Sequence, residues 1–427
     1  MQKKTYKQID ETLYTDKLNN GLTVFLLPRP EMEKTFSIFS TEYGSIDQTF
    51  TPIGKNEMIT VPEGIAHFLE HKLFEKKDRD VFADFSQQGA SANAYTSFTN
   101  TAYLFSATDH IEKNVETLLN FVQDPYFTKE TVEKEKGIIA QEILMYNDQP
   151  EWQSFMGTLK SLYHDHPVNI DIAGTVDSIQ KITEDDLYVC YNTFYHPENM
   201  TLFIAGNFDP KRMMTLIKQN QAKKDFTPMD RIDRQIPEEP NHVANKENEI
   251  KMPVSIPKCH IGIKDTSENL TAKEFLKRDL LQQMILDHYF SKGGTFYQQL
   301  YEKKLIDDRF NFSSTLEKTF GYSIIGGNTK HPDEFANVIK NLLLSMKERL
   351  VTAKDLQKMK HKLTGQLLRG MNSLEFIANN YIQYNTYGID FFTVFDVIQS
   401  LSLDDVKTLI KDWINEEQIA ICKVVPS

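Results

Sequence analysis

At 427 residues the chain is longer than one hydrophobic core usually supports, and its 40% hydrophobic content is enough to give each of two domains a core. The formal net charge of -12, from 60 acidic against 48 basic residues with no long basic run, argues against nucleic acid or an anionic membrane as partner. Cationic or neutral peptides are easier partners. The opening MQKKTYKQIDETLYTDKL is polar, and no later stretch approaches the ~20 apolar residues of a membrane span, so a cytoplasmic protein is expected. Cys190, Cys259 and Cys422 are far apart and form no C-x-x-C pair, which suggests buried thiols rather than a disulfide framework or a cysteine metal site.

In chain order, strands are expected at Gly21 to Pro28 and Thr35 to Ser45, and a helical stretch from about Pro62. Strand or hairpin material returns at ANAYTSFTNTAYLFSAT (Ala92 to Thr108), followed by the amphipathic HIEKNVETLLNFVQD. Helices are expected over Lys129 to Tyr146 and Asp177 to Tyr195, and a buried strand over Met200 to Phe208. This is an α+β mixture rather than a strict βαβ alternation. Residues 223–251 are rich in Asp, Glu, Lys, Asn and Pro, as connectors are. The expected division is therefore an N-terminal domain over 1–225, a linker over 226–250 and a C-terminal domain over 251–427.

The second part repeats the first. TKETVEKEKGIIAQEILM (Thr128 to Met145) aligns without a gap, 224 residues on, with TAKDLQKMKHKLTGQLLR (Thr352 to Arg369). ITEDDLYVCYNTFYHPENMTLFIAG (from Ile182) has a partner of equal length in LSLDDVKTLIKDWINEEQIAICKVV (from Leu401), and HFLEHKLFEKKDRDVFADFSQQG a looser one in MILDHYFSKGGTFYQQLYEKKL. Three matched blocks in the same order predict two similar halves, each a mixed sheet packed by helices.

His67-Phe68-Leu69-Glu70-His71 lies in the apolar, helix-compatible GIAHFLEHKLF. At 3.6 residues per turn His67 and His71 share a face, so both imidazoles can meet one zinc ion, with Glu70 beside them. A catalytic zinc needs a third protein ligand, and VEKEKGIIAQE is the richest source. Glu135 and Glu142 are two turns apart on one face, so one can ligate while the other supports. Neither GIAHF nor SKGGT has the spacing of a phosphate loop, and the HDHP cluster around His164 and His166 has no further ligand group near it in the sequence.

His67 to His71, then ASANAYTSFTNTAYLF, EKEKGIIAQEILMYNDQP and FYHPENMTLFIAGNF, resemble the pitrilysin and insulin-degrading-enzyme family of inverted zinc peptidases, in its short two-domain processing-protease branch. The resemblance implies one Zn2+ per chain on His67, His71 and Glu142, with Glu70 as the general base activating the zinc-bound water and Glu135 assisting. It implies an endopeptidase acting on short or unstructured peptides, admitted to a clam-shell chamber formed by the two similar halves of an α+β fold. It also places Asn93 and Ala94 on an edge strand that takes an extended peptide by backbone hydrogen bonds, nearest the scissile bond. The branch works as homodimers or as an active chain paired with an inactive relative, so a non-catalytic scaffold or partner subunit is the competing reading.

In the second half, Met284, Asp287 and His288 fall opposite His67, Glu70 and His71, while Met359 and Gln366 fall opposite Glu135 and Glu142. That half is expected to be metal-free. The arginine and tyrosine seven residues apart that hold substrate in the family fall on Tyr301 and Asp308; Arg309 and Tyr322 are the substitutes of the right type nearby.

Overall fold

The computed structural model describes residues 1–229, 231–349 and 351–427. The first part of the chain forms β1 (Gln2–Tyr6), β2 (Glu11–Lys17), β3 (Thr23–Pro28), β4 (Thr35–Thr41), β5 (Thr49–Phe50) and β6 (Ile59–Thr60). Helices α1 (Ile65–Phe74) and α2 (Val81–Gln87) precede the hairpin β7 (Ala90–Thr96) and β8 (Thr101–Ala107). Next come α3 (Ile111–Val122), α4 (Lys129–Asn147), α5 (Pro150–Leu162), α6 (Val176–Ile179), α7 (Glu184–Phe194), β9 (Met200–Gly206) and α8 (Pro210–Gln221). The remainder forms β10 (Glu247–Met252), β11 (Lys258–Asp265), α9 (Ala272–Phe290), α10 (Thr295–Glu302), β12 (Asn311–Leu316) and β13 (Gly321–Asn328). It ends with α11 (Pro332–Ser345), α12 (Ala353–Gly370), α13 (Leu374–Asn385), α14 (Val394–Ser400), α15 (Leu403–Trp413) and β14 (Ile419–Pro426). No helix among the described residues is long and apolar enough to cross a membrane.

The expected single helix over 177–195 is two helices, because Thr175 and Thr183 each close a capping box and so start separate helices, α6 and α7. The stretch 92–108 is a hairpin, turned at Ser97, whose amide bonds the Asn100 carbonyl at 2.8 Å.

Two compact units emerge. One comprises Met1–Ile143, Asp171–Ile236 and Gly370–Thr386; the other comprises Leu144–Ile170, Pro237–Arg369 and Tyr387–Ser427. This corrects the continuous division at 1–225, 226–250 and 251–427: each half lends one helix to the other unit, α5 to the second and α13 to the first. Asp230, inside the expected linker, lies outside the described residues.

The first unit is built on a seven-stranded mixed sheet in the order β1-β2-β3-β9-β4-β8-β7, so β7 has one free edge. Because successive strand residues point to opposite faces, Val24, Leu26, Leu202 and Ile204 join the core under α1, α3 and α4, while Phe25 and Phe203 turn the other way. There they meet Tyr381 of α13, with ring centroids 4.8 and 5.2 Å away. The second unit has a five-stranded sheet, β10-β14-β11-β13-β12, with β12 at its edge. Helix α5 packs on β10, β11 and β14, where a Cβ on Gly157 would lie 2.7 Å from Cys422 Sγ and Ile250 Cδ1. The three cysteines are free and buried.

Candidate metal centre

Helix α1 starts where the chain must take a backbone shape open to glycine. Gly64, its N-cap, has φ of 86°, and a Cβ there would meet the Ala173 carbonyl at 2.3 Å. Ser178 Oγ, donating to the Glu63 carbonyl at 2.9 Å, holds the same junction from the other side. From that fixed start, Ile65, Ala66, Phe68, Leu69 and Leu73 are buried, leaving His67 and His71 on the remaining face with ring centroids 4.5 Å apart. Helix α4 is seated by Val132, Ile139 and Ile143, which turns Glu135 and Glu142 toward α1. Lys72, fully buried, joins the two helices by donating to the Thr131 carbonyl at 3.3 Å and pairing with Glu75.

His67 Nε2 stands 3.8 Å from one Glu142 oxygen and His71 Nε2 3.6 Å from the other, both beyond hydrogen-bond reach. Donor atoms of a tetrahedral zinc, at ~2.0–2.1 Å from the ion, stand about 3.4 Å from one another. Two imidazole nitrogens and a carboxylate oxygen, all within 4.8 Å of each other, thus fit that ion in both spacing and donor type. His67, His71 and Glu142 are the only such group among the described residues.

The two imidazoles are shifted in opposite directions. Burial, and then the charge of His71, push the His67 pKa down to about 3, so its imidazole is neutral and free to ligate. Burial also pulls His71 down, but its hydrogen bond to Glu135 and the charges of Glu70, Glu135 and Glu142 outweigh that and raise it. The His71 Nδ1 to Glu135 Oε1 distance is 3.1 Å; a proton held there leaves Nε2 with its lone pair. Glu70 is raised by burial, against the opposing pull of a 2.7 Å hydrogen bond from Thr96 and the charge of His71.

Thr96 belongs to β7, so one hydrogen bond ties the free edge strand to Glu70. Thr96 is not among the site residues expected from the sequence; its place two residues after Ala94 puts it on the same face as the alanines that pack on the core. Asn93 is exposed on the edge strand and its Oδ1 accepts from the Ala94 amide at 2.9 Å.

The supposed substrate residues of the second half are elsewhere. Tyr322 is 6% exposed in β13, its ring against Phe155 and Phe320, so it is a core residue of the second unit and not a surface that could meet substrate. Arg309 is exposed in the turn before β12 and faces Glu151 at 3.5 Å. In the same unit Met284, Asp287, Met359 and Gln366 do come together, lining a cavity of about 210 Å³ with Phe312 and Ser314. They are the repeat-related counterparts of His67, Glu70, Glu135 and Glu142, and two methionines and an amide do not make a zinc site.

Two family models cover the chain in succession: "Insulinase (Peptidase family M16)" matches residues 60–176 and "Peptidase M16 inactive domain" residues 181–363. The chain belongs to peptidase family M16. Among M16 relatives, "Uncharacterized zinc protease YmfH" of Bacillus subtilis is 50% identical over 421 residues, covering 99% of this chain and 98% of the relative. "Putative zinc protease AlbF" of the same organism is 24% identical, with 82% of each chain covered. The crystal structure of a putative M16-like peptidase from Alicyclobacillus acidocaldarius superposes with a TM-score of 0.94 at 40% identity, over 98% of this chain and 99% of the other. A protease from Helicobacter pylori shares the fold at 19% identity, with a TM-score of 0.83 over 97% and 99%.

Proposed function

We propose that this M16 chain is a zinc-dependent endopeptidase with one metal site, on His67, His71 and Glu142. The observation that carries the reading is the 2.7 Å Thr96 to Glu70 hydrogen bond, which sets a free strand edge beside a carboxylate next to the three-donor cluster. Two relatives bear the name zinc protease, in keeping with the donor set.

When bound, zinc acts as a Lewis acid that polarises the scissile carbonyl and acidifies water. The chain's own residues supply the rest. The free edge of β7 adds an extended substrate by backbone hydrogen bonds, with Asn93 and Ala94 nearest the scissile bond. This favours short or unstructured peptides, since a folded segment has no free backbone to offer. Glu70 takes a proton from the attacking water on one carboxylate oxygen and returns it to the leaving amine, while Thr96 holds the other oxygen. Glu135 accepts the Nδ1 proton of His71 and fixes its ring.

Metal analysis and a quenched fluorescent peptide library test this reading. The wild-type chain should bind one zinc and cleave, and Glu70→Gln should keep the zinc and lose at least ~100-fold in kcat. A chain that takes up no zinc and cleaves nothing would overturn it in favour of a scaffold. Unchanged turnover in Glu70→Gln would remove Glu70 as base.

A further inference from the structure

The edge strand β7 has two faces. Ala90, Ala92 and Ala94 pack toward the core, and Thr96 on the same side reaches Glu70. Tyr95 turns to the opposite face, where its hydroxyl donates to Asn379 Oδ1 of α13 at 3.0 Å. Helix α13 is the segment that the second half lends to this unit, seated on the sheet by buried Leu374, Ile377, Ala378 and Tyr381. Its flank toward Tyr95 is a polar stripe at four-residue spacing: Glu375 and Gln383 are exposed and Asn379 is half-buried between them. Glu375 forms no ion pair among the described residues, and Asn379 Nδ2 donates to its backbone carbonyl at 2.9 Å, so the two are one turn apart on the same side. Burial raises the Tyr95 phenol against the opposing hydrogen bond of the Asn100 side chain, and the negative charge of Glu375 adds a smaller push upward, consistent with that carboxylate lying on the same side as the ring.

A peptide added to β7 must alternate as β7 does. Every second side chain faces Glu70 and the metal ligands; the intervening ones face α13. Between an added strand and the flank of a helix lying over the sheet, a long side chain is needed to make contact. Resting on the peptidase reading above, we propose that Glu375 is a specificity-determining residue, selecting peptides that carry lysine or arginine at the alternate positions facing α13. Asn379 is a positioning residue, bonded to Tyr95. The net charge of -12 works in the same direction by drawing cationic peptides.

The test uses the full zinc-loaded chain and a quenched peptide series in which each position in turn is Lys, Ala or Glu. At positions two apart, Lys should exceed Glu by about five-fold in kcat/KM, the upper range for a partly exposed ion pair. Glu375→Gln should bring that ratio below ~2 and Glu375→Lys should invert it, with the Ala peptides unaffected and the intervening positions indifferent. A wild-type ratio near one at every position, or an unchanged ratio in Glu375→Gln, overturns the inference while leaving the peptidase reading intact. If no peptide is cleaved, that reading fails on its own, and fluorescence anisotropy of the same labelled peptides on zinc-loaded Glu70→Gln, with and without Glu375→Gln, decides the inference. A Lys-over-Glu preference in binding that vanishes with Glu375 supports it; equal binding, or none, overturns it.

Discussion

Replacing Glu135 by alanine should weaken zinc binding without touching a ligand. The carboxylate lies 3.1 Å from His71 Nδ1, and no other acceptor of that nitrogen exists among the described residues. Its loss frees the ring to rotate away from Glu142 and removes a negative charge facing a dication. Losses of this kind are typically 10–100-fold in metal affinity, about 1.4–2.7 kcal/mol. Glu135→Gln keeps an acceptor oxygen and should lose less. The pH dependence has a definite sign. Glu135 helps raise the His71 pKa, so protons compete more with metal in the wild type than in the variant. As pH falls that competition erodes the wild-type advantage, and the affinity gap should be wider at pH 8 than at pH 6. Competition with a chromophoric chelator at both pH values measures it. Equal zinc affinity in Glu135→Ala and wild type at pH 8 would refute the orienting role.

Thr96→Val removes the hydrogen bond that holds Glu70 down, so the acid limb of the kcat/KM profile should move to higher pH; an unmoved limb or a shift to lower pH would contradict the assignment. Burial pushes His166 down to about 4, while its ring accepts from the Val168 amide and meets Thr319 Oγ1 at 3.1 Å. A folded pKa below the unfolded value of about 6.5 means full stability above pH 6.5, lost progressively as pH falls toward 4. His166→Asn keeps a capping acceptor and should lose about 2 kcal/mol less than wild type between pH 7.5 and pH 5 in urea unfolding of the second unit; equal losses would count against a buried neutral imidazole. Tyr381→Ala empties the contact with Phe25 and Phe203, should cost the first unit about 3–5 kcal/mol, and should expose 370–386 to proteolysis. Chelation of zinc should lower hydrogen-exchange protection in α1 and α4 but not in α9 and α12; equal change in both pairs would deny the one-sided metal site.

The pentad at 67–71 was legible because helical periodicity is local: two histidines four apart on a helix whose Ile65, Phe68, Leu69 and Leu73 must be buried share one face. Glu135 and Glu142 were legible for the same reason, at two turns, and the geometry brings both to the histidines. The repeat was legible at the same scale, since Met284, Met359 and Gln366, placed by a fixed offset and a looser match, line one cavity. What sequence could not show is which surface buries an apolar face. Pro150 to Leu162 and Leu374 to Asn385 are ordinary amphipathic helices, and nothing in their pattern says that each packs on the sheet of the other half. The place of Tyr322 depends on the same long-range packing: residue type allows a substrate contact, but the side chain lies in β13, between β11 and β12, against the rings of Phe155 and Phe320. The Tyr95 to Asn379 bond joins residues 284 apart, beyond any local pattern.

The two units separate what a fold needs from what a metal needs. Both keep helices that bury one apolar face, seated at matching positions: Val132 and Ile139 in α4, Leu356 and Leu363 in α12. The polar face is where they diverge. In the first unit Glu70, Glu135 and Glu142 stand around His71, whose pKa they raise, beside a His67 that burial keeps neutral, and among the described residues no Lys or Arg pairs with any of the three carboxylates. That arrangement is unfavourable without metal and is relieved by binding it. In the second unit the corresponding positions include Met284, Met359 and Gln366, while Asp287 has its own cation in Lys362 at 2.7 Å. Where the donor set for a metal is incomplete, burying a carboxylate only costs stability, and uncharged side chains of similar size fill the space better. The same reasoning accounts for where sequence divergence falls between the halves: the apolar seats of the helices remain, while of the three donor positions only that of His71 keeps its type, as His288.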